Sequence, residues 1–220
     1  MNTVTKRLGA AAIATALLML AGCTYTYQSF QTVDDRYPAI SKGEEWEYAL
    51  EVTTPSEGLR QGTIQFRVDG EEEINQKYYL RTVTSFSGIS DFGSSYTYLR
   101  RAPEGIYKIY GRHINVPEYV ETPFPLTIGK TWVVPDPDGA LVYTADSLET
   151  IETPAGTFPN CLKVSFKRQD GSDSLSGYSY HSTAVGEVKT VLKSGTTSIV
   201  YSITNHKPGK GNGEVVRLGS

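Results

Sequence analysis

The stretch Glu45-Trp-Glu-Tyr-Ala-Leu-Glu-Val52 (EWEYALEV) alternates with a period of two. Trp46, Tyr48, Leu50 and Val52 fall on one side, and Glu45, Glu47 and Glu51 on the other. Successive side chains of a β-strand point to opposite faces, so the pattern is that of a strand with one face buried and one wet. The same reading extends outward. Ile64, Phe66 and Val68 alternate with Thr63, Gln65 and Arg67; Leu162, Val164 and Phe166 alternate with Cys161, Lys163, Ser165 and Lys167. Val188, Thr190 and Leu192 repeat it, as do Ile199, Tyr201 and Ile203. Between the runs lie turn signals: PSEG (55–58), DG (69–70), APEG (102–105), PDPDG (135–139), PAG (154–156), QDGSD (169–173) and KSG (193–195). No amphipathic helix of useful length interrupts them. The expectation is an all-β, mainly antiparallel fold: a strongly curved sheet or open half-barrel of ten or eleven strands.

One echo runs along the chain. Pro38 leads to Gly43, Trp46 and a strand; Pro125 leads to Gly129, Trp132 and a strand. Either the spacing is coincidental or the domain, residues 39–206, divides into similar halves at 39–122 and 123–206.

The N-terminus reads as an address. Lys6 and Arg7 precede an uncharged run from Leu8 to Gly22, which is shorter than the roughly 20 residues a membrane-crossing helix needs. A secretory signal over residues 1–22 fits this pattern. Leu20-Ala-Gly-Cys23 resembles the lipobox of bacterial lipoproteins at every position. That resemblance implies cleavage between Gly22 and Cys23 and acylation of the Cys23 sulfur; an ordinary signal with a chance cysteine is the rival. Two or three acyl chains would hold the protein on a membrane without a spanning helix. Thr24 stands where an Asp marks inner-membrane retention in Gram-negative lipoproteins, so for a Gram-negative host the resemblance implies the outer membrane, facing the periplasm. Residues 23–38 read as a flexible tether and the Gly- and Lys-rich 207–220 as a disordered tail.

A formal net charge of −3 with mixed signs lacks the clustered basic footprint of a nucleic-acid binder. No cofactor motif and no catalytic signature is present, and the chain reads as a non-enzyme. His113, His181 and His206 are too far apart in sequence for a metal site, and no metal is expected. Asp136-Pro-Asp138-Gly139 lacks the closing Glu of a calcium loop, with Ala145 in its place. With Cys23 acylated, Cys161 has no disulfide partner. It shares a strand face with Lys163 and Lys167, which either makes it a reactive thiolate or leaves it under a covering segment. Tyrosine is frequent, 15 residues against 7 Phe and 2 Trp. Tyr96/Tyr98 and Tyr178/Tyr180 are i, i+2 pairs, each projecting from one strand face. They are either cross-strand packing or the lining of a concave cavity for a lipid or other amphiphile.

Thr153-Pro-Ala-Gly-Thr-Phe158-Pro-Asn-Cys161-Leu-Lys-Val164, followed by Ala184-Val-Gly186-Glu-Val-Lys189, resembles a "TPAGTF-x-x-C-x-x-V" and "G-x-G-x-V-K" pattern of uncharacterised bacterial lipoproteins, with Ala184 in place of the first glycine of the second element. Pro125-Leu-Thr-Ile-Gly129-Lys-Thr-Trp132 resembles the same family's "P-L-x-x-G-x-x-W". The resemblance implies an open β half-barrel, akin to the lipoprotein carriers and receptors of the envelope, and brings no activity with it. Three occupations stay open for such a domain. It holds an amphiphilic ligand, or it docks an envelope protein through its sheet surface in a structural or assembly role, with a hydrolase or thiol-dependent enzyme centred on Cys161 a distant third.

Overall fold

The alternation at 45–52 produces the strand expected of it, one of twelve in the chain's described residues. A computed structural model describes residues 32–90, 92–110, 117–136, 139–170 and 174–209. Gly22, Cys23, the rest of 1–31, His113 and the tail from 210 lie outside the described residues. The strands are β1 (Glu45–Thr54), β2 (Gly58–Ile74), β3 (Lys77–Ser87), β4 (Ser95–Ala102), β5 (Gly105–Tyr110) and β6 (Tyr119–Pro123). They continue as β7 (Thr131–Val134), β8 (Leu141–Thr153), β9 (Gly156–Arg168), β10 (Ser176–Ser182), β11 (Gly186–Ser194) and β12 (Thr197–Lys207). Twelve strands exceed the expected ten or eleven; a strand as short as the four-residue β7 offers only two positions per face to a periodicity argument.

All twelve form one antiparallel sheet in the order β6-β5-β4-β3-β2-β1-β12-β11-β10-β9-β8-β7. The first and last strands therefore pair at its centre, and the consecutive strands β6 and β7 are its two edges. The sheet curls until these edges meet. The Trp132 indole N–H of β7 donates to the Glu121 carbonyl of β6 at 2.9 Å, and Lys130 Nζ donates to the Pro125 carbonyl at 2.5 Å. Side chains thus bridge a seam where no backbone ladder forms, and the result is a barrel closed by all but one pairing.

The Gly–Trp echo corresponds to one backbone motif used twice. Gly43 N–H donates to the Val68 carbonyl at 2.8 Å and Gly129 N–H to the Ala145 carbonyl at 2.7 Å. Val68 N–H returns a bond to Glu44 and Ala145 N–H returns one to Lys130. Both glycines have left-handed backbones, φ 81° and 88°, a conformation that costs little only without a Cβ. The β2–β3 ladder slips just after Val68 and the β8–β9 ladder just after Ala145. Trp46 closes its copy by donating to the Val185 carbonyl at 2.9 Å, as Trp132 does across the seam.

The core occupies both faces in places. On the concave face Tyr48, Leu50, Val52, Ile64 and Ile203 are all but inaccessible, each large aliphatic contributing about 1.5–3 kcal/mol. On the convex face the β8–β9 hairpin reaches back over the sheet. Its tip residue Ala155 donates to the Ile203 carbonyl of β12 at 3.2 Å, although β9, β10 and β11 lie between β8 and β12 in the sheet. A second convex cluster joins Ile74 and Tyr79 of the β2–β3 hairpin to Tyr98 and Ile109.

The segment expected as a tether is folded from Thr32 onward. Thr32 forms an isolated bridge to Thr127, and Val33 N–H donates to the Leu126 carbonyl at 2.7 Å. Leu126 N–H in turn donates to Asp34 Oδ1 at 2.5 Å. Val33 is buried against Leu126, Ala145, Leu162 and Val164, and a 3₁₀ turn over Asp34–Arg36 delivers Tyr37 to the interior. Alternation cannot reveal such a plug, because its hydrogen bonds go to a loop and not to a ladder.

Candidate functional site

Cross-strand partners share a face, so the register places each tyrosine. Tyr98 pairs with Arg81 and Ile109, and the concave face of those strands carries Thr82, Thr84, Thr97 and Leu99. Tyr180 pairs with Lys163 and Lys189, and Lys189 pairs with Ser202, opposite Ala49 on the far side from Tyr48 and Leu50. Tyr96, Tyr98, Tyr178 and Tyr180 therefore all lie on the convex face, and the two pairs are not brought together. Tyr98 is buried and donates to Glu72 at 3.1 Å, while Tyr96 is partly exposed. Tyr178 and Tyr180 pack edge to face at 5.6 Å, and Tyr180 donates to Glu149 at 3.0 Å. They sit under the β8–β9 hairpin with Ile151 and Phe158. Of the two readings these pairs left open, the lining of a concave cavity does not hold for them and packing on the convex face does: an i, i+2 pair fixes a common face but not which face.

Cys161 lies in the same covered layer. It is fully buried, its thiol donates to the Phe158 carbonyl at 3.3 Å, and burial pushes its pKa up to about 11 against a weaker pull from Arg36. The covering segment, not the neighbouring lysines, decides its chemistry.

The concave face carries a different set of tyrosines. Tyr110 of β5 and Tyr119 of β6 lie with ring centroids 5.7 Å apart. Across the seam Trp132 of β7 stacks on Tyr143 of β8 at 5.5 Å and 18°, and Tyr143 continues to Phe166 of β9 at 5.4 Å. Between the two walls Lys108 Nζ lies 4.6 Å above the Tyr110 ring and 3.1 Å from Glu121 Oε1. Burial alone would pull the Lys108 ammonium down, but Glu121 and Tyr110 outweigh it and hold its pKa above the ordinary lysine value. Tyr119 is raised by burial and by the nearby Glu121 and Tyr110. Although these groups approach one another, Tyr119 Oη and Glu121 Oε2 are buried and reach hydrogen-bond geometry with no protein atom. Buried polar atoms are nearly always paired, so two orphans side by side mark the spot.

Opposite these groups the interior is satisfied. Glu187 Oε1 accepts from Tyr201 at 2.6 Å and from Thr190, and the Glu187 carbonyl accepts from Tyr48 at 3.0 Å. His181 Nε2 meets Ser179 Oγ at 2.8 Å, and its ring stacks on Tyr37 at 4.5 Å. Burial lowers the His181 pKa, Glu187 and Glu121 opposing, so the ring stands neutral. Among the described residues no group of three metal-ligating side chains comes together.

The chain matches no family model and no curated protein. Solved structures that resemble it include the following three. A candidate exported protein with a YmcC-like fold from Bacteroides fragilis is 15% identical, covering 76% of this chain and 97% of its own, with a TM-score of 0.47. A candidate lipoprotein from Parabacteroides distasonis is 14% identical, covering 76% and 96%, at 0.36. A β-barrel-like protein of a domain family of unknown function from Brucella abortus is 10% identical, covering 77% and 99%, at 0.39. Likenesses of this size carry neither ligand nor activity to the chain described here.

Of the interior set, Phe166 and Tyr201 were legible in the sequence only as strand residues. Tyr37 hid in the supposed tether. Tyr119 and Glu121 share a five-residue strand, and Trp132 was legible as the second copy of the Gly–Trp motif but not as a wall of a site.

Proposed function

We propose that the protein is an envelope lipoprotein, acylated at Cys23, whose non-enzymatic β domain binds an amphiphilic small molecule on its concave face beside the β6/β7 seam. Leu20-Ala-Gly-Cys23 supports the anchor, and Thr24 supports the outer membrane. The orphaned pair, Tyr119 Oη with Glu121 Oε2, carries the binding assignment. Left unpaired, each such atom costs about 1–3 kcal/mol, and a ligand's polar head offsets that cost. The flanking rings supply apolar area for the rest of the ligand. The unladdered edges of β6 and β7 favour a second reading, docking of an envelope protein, because free strand edges are templates for pairing.

Native mass spectrometry of the mature chain with Cys23 replaced by Ala tests the assignment. A copurified small molecule that leaves on Glu121→Gln is the expected result. A clean apo mass, with no binding of the detergents named below, overturns ligand binding and leaves docking. For the anchor, Cys23→Ala in cells retains the signal segment and loses palmitate labelling; continued labelling overturns it.

A further inference from the structure

Resting on that reading, we infer that the ligand presents a neutral, polyhydroxylated ring to the aromatic side chains beside the β6/β7 seam, the chemistry of a pyranose headgroup. The charges decide first. A cationic head has no place, because Lys108 already holds the cation position over Tyr110, 4.6 Å from its centroid. An anionic head would meet the free oxygen of Glu121, whose partner oxygen is engaged by Lys108 at 3.1 Å. A bare acyl chain would bury Tyr119 Oη and Glu121 Oε2 without partners. What remains is an uncharged group that donates to a carboxylate oxygen and exchanges a bond with a phenol, and a hydroxyl does both.

The walls agree. Tyr110 and Tyr119 stand on one side of the seam, Trp132 and Tyr143 on the other. Aromatic faces are electron-rich, so they attract the weakly positive C–H faces of a saturated ring whose hydroxyls point outward at its rim. The bond from Trp132 to the Glu121 carbonyl at 2.9 Å ties the second wall to the strand bearing the carboxylate, so the stacking surface and the acceptor are held in one geometry before binding.

Calorimetric titration of the Cys23→Ala mature chain with four probes tests this: maltotriose, dodecyl maltoside, dodecylphosphocholine and dodecanoate, the amphiphiles below their micellar concentrations. Maltotriose and dodecyl maltoside are expected to bind. Glu121→Gln and Tyr119→Phe should each weaken that binding about tenfold, the effect of one lost polar contact. Tyr178→Phe, on the convex face, should leave it unchanged. Circular dichroism of each variant checks folding, and Tyr119→Phe, which keeps the ring, decides the matter if Glu121→Gln unfolds. Binding of dodecylphosphocholine or dodecanoate with equal strength overturns the sugar headgroup while sparing the amphiphile site. Silence from all four probes overturns both.

Discussion

Cys161 sits midway along β9, on the face that its own hairpin folds to cover. Its raised pKa and its bond to the Phe158 carbonyl predict an inert thiol. Maleimide at neutral pH should fail to label the native protein and label it fully in denaturant; prompt native labelling would show the hairpin open. Gly177 is a steric requirement: a Cβ there would stand 2.2 Å from the Val191 carbonyl oxygen and 2.8 Å from Phe166 Cζ. Gly177→Ala is expected to cost about 3 kcal/mol or more. Gly93→Ala, facing open space, should stay within about 0.5 kcal/mol, and denaturant titration compares the two. His181 gives a pH signature. Its folded pKa lies below the ordinary value of 6.5, so the unfolded chain takes up the proton first. Stability is therefore full above that value and falls as the pH drops below it. His181→Gln should flatten the unfolding free energy between pH 7 and 5.5, a window above the range in which ordinary carboxylates titrate. An undiminished slope in the variant would assign the loss elsewhere. Alternation left the environment of Cys161 open, because burial on the convex face depends on which hairpin folds over it.

Two long hairpins do that folding, and their length is legible: β2 spans 17 residues and β8 and β9 span 13 each, far beyond a mean strand of about 5–6. What sequence could not supply is their bend. The ladder slips after Val68 and after Ala145, and a bulge there increases local twist. Phe158 of the second hairpin packs against the main core cluster. Phe158→Ala is expected to cost about 3 kcal/mol and to speed maleimide labelling of Cys161 at least tenfold while the protein stays folded. Unchanged labelling would mean that something other than the hairpin covers the thiol. Alternation showed the strands and recurrence showed the Gly–Trp motif, since both are local; the plug at Thr32–Tyr37 is neither periodic nor recurrent.

The whole sheet is joined end to end by β1 and β12, whose pairing runs from Glu45↔Lys207 to Thr53↔Ser198. Removing Thr197–Ser220 should therefore abolish cooperative unfolding, not trim an edge; a sigmoidal melt in the shortened chain would show that the remaining strands suffice. Amide exchange should be slowest along β1 and β12 and fastest at β6 and β7, whose outer groups lack a ladder partner. The molecule is then bound like a book. The paired terminal strands are its spine, β6 and β7 its fore-edges, and the connection 124–130 a clasp riveted between the covers. A clasp of that length spans under about 30 Å even when pulled straight. The covers can part, but only so far, and whatever slides in at the fore-edge must be thin in one dimension while free to be long in the other.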